Sequence, residues 1–521
     1  MKRIFFIECV GPIWHGVVKE CALQAQWQPI LWTGAAEDEA AVAAIYPDTI
    51  FITGPDAALG LPQATWRLPT LDAQLLAALA SDESIALHMM DRMDPACGNG
   101  FSHDARRRHY HGLLRYWLGA LDELQPEQIV FSISPHIVFD YVLLALARYR
   151  GIPTFMFERI GLPGWIFPME DFRQGSPHLR AALHQKPTVQ VDQVPDAFRT
   201  WLLASVSGEA AVPANFQRKI ERYKLSRSAK MPSLLRSLIH EFKRALVLFR
   251  RNGLRSASNS YLRSQYFPHG RCGPLETLVS RFKGIFAKRQ LMRFHDALAR
   301  IDNAEQYILL ALHYQPERAT VPMGGEFGDQ TLIVDLLAKA LPAGWKLFVK
   351  EHPWQLQSFG RGEVQRTEEF YSFISAHPNV VLLPRDAATA TFVRGARAVA
   401  TVTGSVGWDA LCSGIPVLLF GAAWYRDCAG VFTITSRADA DAALGAIEAG
   451  SKPDLEGLAG FCNALAHVCV RGVLEPEIEN VEDLSIGRAV DAMSIALIDY
   501  QLHNSMQRVA STINPENGEF F

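Results

Sequence analysis

Short segments of β-type residues alternate with segments of helical period in both halves of the chain. This alternation is typical of parallel sheets covered by helices on both faces, and it predicts two α/β domains of the Rossmann type. The predicted strands lie at residues 3–7, 29–33, 49–53, 128–132 and 153–157, and at 307–312, 346–350, 380–383, 398–402 and 416–420. The predicted helices lie at residues 72–79, 113–124 and 141–150, and at 330–340, 368–376, 387–395 and 408–413.

The length of the chain also predicts more than one domain. A chain of 521 residues is too long for one hydrophobic core, because single cores stop growing at roughly 250–300 residues. We predict an N-terminal, acceptor-side Rossmann-like domain at residues 1–212 and a nucleotide-binding Rossmann-like domain at 301–450, joined by a basic helical linker at 213–300. Helices at 451–510 and a loose tail at 511–521 follow.

The composition is that of a globular protein, and the charge suggests no nucleic-acid partner. The apolar fraction is 49%, the charged fraction 20% and the net charge −3. The eight cysteines show no metal-ligand spacing, so we predict buried free thiols in a reducing cytoplasm. Glu8 interrupts the N-terminal apolar run too early for a signal peptide, and no apolar run reaches the 18 residues of a spanning helix.

A strongly basic segment joins the two predicted domains. Residues 218–293 contain 19 Lys or Arg and three Glu, an excess of 16 positive charges. Apolar residues recur at helical spacing between residues 234 and 249. Such a helix can lie on an anionic membrane surface, or its apolar stripe can pack on a domain. The sequence leaves open whether the protein is peripheral on the inner face of the cytoplasmic membrane or the segment is a structural linker.

Polar residues follow three strands of the second predicted domain directly. Open parallel sheets bind ligands beyond the carboxyl ends of their strands, so we predict that these residues bind a nucleotide. Small residues and hydroxyls before a helix suit a phosphate, and we expect Ser405 to cap that helix. His352 can donate to a phosphate or ribose. The candidates are Lys350, His352, Pro353, Thr403, Gly404, Ser405, Gln315 and Glu317.

Carboxylates follow the strands of the first predicted domain. Asp140 lies where a loop enters a helix, Glu158 closes a strand, and Asp171 comes shortly after the turn at 161–164. If the ligand is a nucleotide sugar, one carboxylate is needed as base for inversion or as nucleophile for retention. We rank Asp140 and Glu158 first, because each follows a strand at the ligand edge, with Asp171 and Glu8 behind them. No convincing Asp-x-Asp element for a metal-bound diphosphate occurs, so we predict neither a metal site nor a cofactor.

Four motifs of the second half resemble, in the same order, those of the capsule polysaccharide synthesis family. They lie at residues 311–317, 349–353, 401–411 and 414–425, and weaker similarity occurs at 131–136, 140–141 and 152–158. The resemblance implies a GT-B fold, in which two Rossmann-type parallel-sheet domains face a cleft. It also implies a metal-independent glycosyltransferase with a CMP-activated donor, such as CMP-Kdo, whose sugar is an acidic eight-carbon keto sugar.

The resemblance assigns roles to particular residues. It implies that His352 and Pro353 contact the nucleotide, and that Thr403, Gly404 and Ser405 meet the phosphate. It further implies retention of configuration, with a first-domain carboxylate as nucleophile.

Three functions stay open at the level of the sequence. The first is a glycosyltransferase that builds capsule or surface glycan on a glycan or glycolipid acceptor. The second is a polyol-phosphate transferase using a CDP-alditol, although its Asp-Tyr-Ser-Ser signature is replaced here by Thr403, Gly404 and Ser405. The third is a non-catalytic polysaccharide export or binding factor, against which the nucleotide-type loops count.

Overall fold

The computed structural model of the chain contains two β-sheets, one built mainly from each half. It describes residues 1–60, 66–93, 101–209, 274–357, 362–474 and 484–513. The strands are β1 (Lys2–Ile7), β2 (Trp27–Gly34), β3 (Ile50–Thr53), β4 (Gln128–Phe131), β5 (Thr154–Arg159), β6 (Trp165–Met169), β7 (Tyr307–Ala311), β8 (Lys346–Lys350), β9 (Val380–Leu382), β10 (Ala398–Thr401), β11 (Val417–Leu419), β12 (Val431–Thr433) and β13 (Val470–Arg471). The predicted α/β fold with two Rossmann-type sheets is confirmed.

The first sheet has the strand order β13-β6-β5-β4-β1-β2-β3. Strands β1 to β5 run parallel, whereas β6 pairs antiparallel with β5 and β13 pairs antiparallel with β6. The order of the parallel strands reverses between β1 and β4, and open α/β sheets bind ligands at such a point. The helices of this half are α1 (Gly11–Ala25), α2 (Glu39–Ile45), α3 (Gly54–Leu59), α4 (Ala73–Ala78), α5 (Ala80–Met89), α6 (His103–Leu124), α7 (Val138–Arg150), α8 (Pro177–Gln185) and α9 (Asp196–Ser207).

The second sheet has six parallel strands in the order β12-β11-β10-β7-β8-β9. Its order reverses between β7 and β10, so the loops after these strands meet at one edge. The remaining helices are α10 (Pro274–Leu298), α11 (Gln330–Ala340), α12 (Glu368–Ser375), α13 (Thr389–Gly395), α14 (Ser405–Cys412), α15 (Arg437–Glu448), α16 (Leu455–Val468) and α17 (Ile486–Ile513).

Some elements differ from the sequence-based expectation. Strands β6, β12 and β13 were not predicted. Helix α6 begins ten residues before its predicted start, because Ser102 caps it by accepting the Ala105 N–H at 3.3 Å. Helix α14 begins at Ser405 and not at residue 408.

The C-terminal part of the chain returns to the first sheet. Strand β13 adds an edge strand to that sheet, and α17 packs on α1. The packing is close: a methyl group added to Gly16 would lie 2.6 Å from Val490. The region that the sequence predicted as helices alone therefore also contributes a strand.

Most of the basic segment lies outside the described residues. Helix α10 contains its last 20 residues, but the predicted amphipathic helix at 234–249 is not among the described ranges. Within those ranges, no helix combines the length and the apolar character that crossing a membrane requires. The six cysteines for which the structure reports a state are buried free thiols.

An aromatic cluster joins the two halves. Trp201 of α9 stacks on Trp408 of α14 with ring centroids 5.0 Å apart and planes 8° from parallel. Trp424 lies against both rings, and Phe461 of α16 contacts Trp408 and Trp424. The middle of helix α14 is therefore held against the first half of the chain.

Candidate active site

The loop after β10 is held by a buried histidine. The Thr403 N–H and the Thr401 hydroxyl donate to Nε2 of His313, each at 3.1 Å. Thr401 in turn accepts the Gly404 N–H at 3.2 Å. Because Nε2 accepts hydrogen bonds, the neutral ring carries its proton on Nδ1. Burial, with smaller contributions from His352 and Arg366, lowers the pKa of His313 to about 3, so the ring stays neutral.

Helix α14 begins without a side-chain cap. Gly404 occupies the N-cap position in extended conformation, and Ser405 is the exposed first residue of the helix. The prediction that Ser405 caps the helix is therefore wrong: the cap is a residue without a hydrogen-bonding side chain. The first backbone N–H groups of a helix without a side-chain cap suit an anion.

The glycines of this loop permit its close packing. The Tyr425 hydroxyl donates to the Gly404 carbonyl at 2.5 Å, and it passes so near Gly407 that an added methyl group would lie 2.2 Å from the phenol oxygen. Any side chain at Gly407 would displace Tyr425, and with it the start of α14. The second glycine of the motif thus has a packing function.

The loop after β8 fixes the ring of His352. The backbone N–H of His352 donates to Glu351 Oε1 at 2.8 Å, and the Trp354 N–H donates to His352 Nδ1 at 3.2 Å. The proton of the neutral ring is therefore on Nε2. An N–H at this atom can donate to a phosphate or ribose oxygen.

A buried ion pair lies beneath the loops after β7 and β8. Arg366 donates from Nε to Glu351 Oε2 at 2.7 Å and from Nη2 to the His313 carbonyl at 3.1 Å. The Tyr371 hydroxyl donates to the same Glu351 oxygen at 2.8 Å. Although burial raises the pKa of Glu351, Arg366 and these hydrogen bonds together hold it below its usual value. The carboxylate is thus ionised and joins the loop after β7 to the loop after β8.

Two residues that the sequence predicted to bind the nucleotide lie in this interior. The Gln315 side chain donates to the Gly328 carbonyl at 2.6 Å and accepts from Gln330 and Arg366. Lys350 is buried, with its ammonium on the carbonyls of Arg385 and Glu351, and burial lowers its pKa. In this structure both side chains therefore stabilise the loops from within.

The other two candidates of these loops are exposed. Glu317 and Pro353 lie at the surface of the second half. The Glu317 carbonyl accepts the N–H groups of Thr320 and Val321 and so shapes the turn that follows. Their contact with a nucleotide stays a prediction.

Glu158 bridges the two halves of the chain. Its carboxylate accepts from the Ser134 hydroxyl at 2.6 Å, from its neighbour's N–H at 2.9 Å and from the Arg318 guanidinium. Burial raises its pKa, but Arg318 and the Ser134 hydrogen bond outweigh this and lower it. The sequence did not single out Arg318. The sequence marked Arg318 only by its place as a basic residue directly after the candidate Glu317.

Asp140 is less completely paired than Glu158. It is buried in the first turn of α7, where Oδ2 accepts the His136 N–H at 3.0 Å. Its Oδ1 is buried and has no hydrogen-bond partner among the described residues. Burial raises the pKa of Asp140 to about 8, against backbone hydrogen bonds that lower it. A buried polar atom without a partner is uncommon and costs free energy.

Asp171 lies at the opposite edge of the sheet. Because β6 runs antiparallel to β5, the residues after β6 return to the start of β5, where Thr154 donates to the Glu170 carbonyl at 2.6 Å. Asp171 itself pairs at 3.2 Å with Arg148, near the end of α7. The structure therefore does not bring Asp171 together with Asp140 and Glu158, because the unpredicted hairpin reverses the chain.

The neighbourhood of His136 is strongly basic. Burial is the largest cause of its low pKa, and Arg318, Arg92 and Arg159 lower it further. Arg92 also donates to the carbonyls of His136 and Val321, which belong to different halves. Across the described ranges, no three His, Cys, Asp or Glu side chains are arranged to hold a metal ion.

The fold and the contacts between the halves define the class of the protein. Two doubly wound α/β domains that meet at loops beyond their parallel strands form the two-domain GT-B-like class. Residues 235–443 match the family model described as "Capsule polysaccharide biosynthesis protein". The matched range includes all four motifs, so the match confirms the resemblance that the motifs show.

Solved structures with similar chains were also found. The β-Kdo 2,7-transferase KpsC of Thermosulfurimonas dismutans is 11% identical, with 73% of this chain and 88% of that chain covered and a TM-score of 0.28. UDP-GlcNAc 2-epimerases of Methanocaldococcus jannaschii and Neisseria meningitidis are each 11% identical, with TM-scores of 0.24 and 0.22. They cover 90% and 89% of this chain, and 98% of each epimerase is covered. No curated protein sequence matches the chain.

Proposed function

We propose that the chain is a glycosyltransferase of capsule or surface polysaccharide biosynthesis with a CMP-activated donor, for which Kdo is the candidate sugar. The observation that carries the proposal is the pair of loops ending in His352 and in Thr403 to Ser405. His313, Arg366 and Glu351 connect them, so the two loops form one rigid edge. The ring of His352 offers a donor for the nucleotide, and the start of α14 offers backbone N–H groups for a phosphate.

The charges of the cleft support an acidic donor. Arg92, Arg159 and Arg318 surround His136, and guanidinium groups suit phosphate and carboxylate. CMP-Kdo carries one of each. A nucleoside monophosphate carries less negative charge as a leaving group than a nucleoside diphosphate does, so we propose a reaction that needs no divalent metal.

The contacts of the two leading carboxylates favour Asp140 over Glu158 as the residue beside the reacting centre. Three donors already occupy Glu158, one of them the Arg318 guanidinium of the other half. Asp140 has a buried oxygen without a partner in the described ranges. A carboxylate that contacts a substrate needs an oxygen atom that no protein group already occupies. The contacts of Glu158 with both halves of the chain suit a role in holding the halves together.

Nucleotide binding tests the proposal. Calorimetry with CMP, CDP, UDP and GDP is expected to show binding of CMP alone, with the same affinity in EDTA and in magnesium. Preference for CDP would favour the polyol-phosphate transferase, and binding of none would favour the export or binding factor. An affinity for CMP that EDTA abolishes would contradict the metal-independent reaction.

The substitution His352→Ala is expected to weaken CMP binding by about 1–3 kcal/mol, the effect of losing a hydrogen bond to a charged group. The Nε2 proton that the Trp354 contact leaves in place is the donor that is lost. His467→Ala is the matched control, because His467 is exposed on α16. Unchanged CMP affinity in folded His352→Ala protein would remove this histidine from the site.

A further inference from the structure

The loop after β4 holds the ring of His136 in one tautomer. This loop lies where the strand order of the first sheet reverses. His136 Nδ1 lies 3.2 Å from the Ser134 carbonyl oxygen. A carbonyl oxygen only accepts hydrogen bonds, so Nδ1 carries the proton of the neutral ring and Nε2 carries a lone pair. The residue is partly exposed, and no hydrogen bond to Nε2 is found within the described ranges.

The backbone of His136 is held by groups from both halves of the chain. Its N–H donates to Asp140 Oδ2 at 3.0 Å. Its carbonyl accepts from Arg92 Nη2 at 2.6 Å, and the same nitrogen donates to the Val321 carbonyl of the second half at 3.3 Å. His136 therefore has a fixed position between Asp140 and the second half.

Ser134 connects the ring to the other leading carboxylate. Its carbonyl accepts the Nδ1 proton of His136, and its hydroxyl donates to Glu158 Oε2 at 2.6 Å. Arg318 of the second half donates to the same carboxylate oxygen. Hydrogen bonds thus link His136 directly to Asp140 and, through Ser134, to Glu158.

Three guanidinium groups lie near this ring. Burial is the largest cause of the low pKa of His136, and Arg318, Arg92 and Arg159 lower it further, so the ring stays neutral at physiological pH. Guanidinium groups only donate hydrogen bonds, which leaves Nε2 as an acceptor among donors. An ionised phosphate or carboxylate has no proton to share with Nε2, whereas a hydroxyl group has one. A ligand atom that binds Nε2 is therefore a hydroxyl oxygen.

We propose that His136 is a specificity-determining residue whose Nε2 accepts a hydrogen bond from a hydroxyl group of the donor sugar. This inference rests on the proposed function, in which the same guanidinium groups hold the acidic groups of the donor. The sugar then lies between these groups and Asp140, which His136 also contacts. The ring orients the hydroxyl and does not take its proton, because the neighbouring cations disfavour the imidazolium form. This role is compatible with a first-domain carboxylate as nucleophile.

Two substitutions separate the hydroxyl contact from a purely structural role of the ring. The amide of His136→Gln reaches the position of Nε2 and can accept from the hydroxyl. The shorter amide of His136→Asn reaches only the position of Nδ1, where it keeps the bond to Ser134. For the release of CMP from CMP-Kdo in water, kcat/KM is expected to fall about 5–150-fold in His136→Asn, which leaves the hydroxyl unpaired, and to fall less in His136→Gln. The affinity for CMP, which lacks the sugar, is expected to be unchanged in both.

The order of the two variants decides between the roles. A ring that only holds the Ser134 carbonyl gives the reverse order, with His136→Asn the more active variant, and this result overturns the proposal. Equal activity of the two variants overturns it as well, because an acceptor at the position of Nε2 then has no effect. His103→Asn, at the exposed start of α6, is the matched control and is expected to behave as wild type.

Nuclear magnetic resonance of protein with ¹⁵N-labelled histidine separates this inference from the proposed function. At pH 7 the free protein is expected to carry the His136 proton on Nδ1. CMP-Kdo is expected to shift the Nε2 resonance, whereas CMP alone leaves it unchanged. A proton on Nε2 in the free protein overturns the inference and leaves the proposed function intact, as does release of CMP from CMP-Kdo without a shift of Nε2. If wild-type protein neither binds CMP nor releases it from CMP-Kdo, the proposed function is contradicted and the inference falls with it.

Discussion

Asp140→Asn is expected to abolish turnover and, at the same time, to stabilise the folded protein at pH 9. The folded state raises the pKa of Asp140 to about 8, against about 3.9 in an unfolded chain. This carboxyl group therefore contributes stability that is full below about pH 4 and is lost as the pH rises through 8. One pKa unit corresponds to about 1.4 kcal/mol. An uncharged side chain is therefore expected to raise the free energy of unfolding at pH 9 by a few kcal/mol.

Urea denaturation at pH 5 and pH 9 and the turnover of CMP-Kdo measure the two effects. Glu158→Gln is the matched comparison, since its carboxylate is held ionised by Arg318 and Ser134. That variant is expected to be less stable at neutral pH and to lose much less turnover. Near-normal turnover of Asp140→Asn would mean that the reacting centre lies elsewhere. Equal stability of this variant and wild type at pH 9 would contradict the raised pKa.

Glu351→Gln is expected to destabilise the second half by about 3–5 kcal/mol, because it leaves the Arg366 cation buried without a counter-charge. The side chains of this pair are 1% and 0% exposed. Nucleotide affinity is expected to fall as well, since Glu351 also accepts the N–H of His352. Chemical denaturation and CMP calorimetry on the same protein measure both effects.

Asp335→Asn provides the matched control on an exposed ion pair with Lys339. Its cost is expected to be within about 1 kcal/mol, because exposed pairs contribute little. The double variant Glu351→Gln, Arg366→Met is expected to recover part of the lost stability, since no buried charge then lacks a partner. A cost below 1 kcal/mol for Glu351→Gln alone would show that water reaches Arg366.

The sequence predicted the two sheets because local patterns determine them. Ten strands of the described residues come from β-type segments bounded by turn residues, and their helical connections imply the parallel order. The antiparallel strand β6 was not predicted, and it moved Asp171 to the far edge of the sheet. Its Pro168 counts against a strand interior, so the local signal pointed to a loop.

The pairing partners of the site could not be read from local patterns. Arg366 is 15 residues from Glu351, and Arg318 is 160 residues from Glu158. Many arginines of the chain satisfy the same local criteria, and only the folded structure selects among them. The equal ranking of Asp140 and Glu158 has the same origin, because hydrogen-bond saturation leaves no pattern in a single sequence. The nucleotide contacts of His352 and Thr403 stay predictions.

The stacked indoles of Trp201 and Trp408 restrict how the cleft can widen. Separating them would expose the facing sides of two rings that each bury roughly 150–250 Å², and at about 25 cal/mol per Å² even half of that area amounts to several kcal/mol. A rotation that keeps the stack intact avoids this penalty. The stack then acts as the pivot, and the ion pair between Arg318 and Glu158 acts as the latch. Widening would release that latch while the start of α14 stays close to the axis, so the phosphate end of a donor would move least.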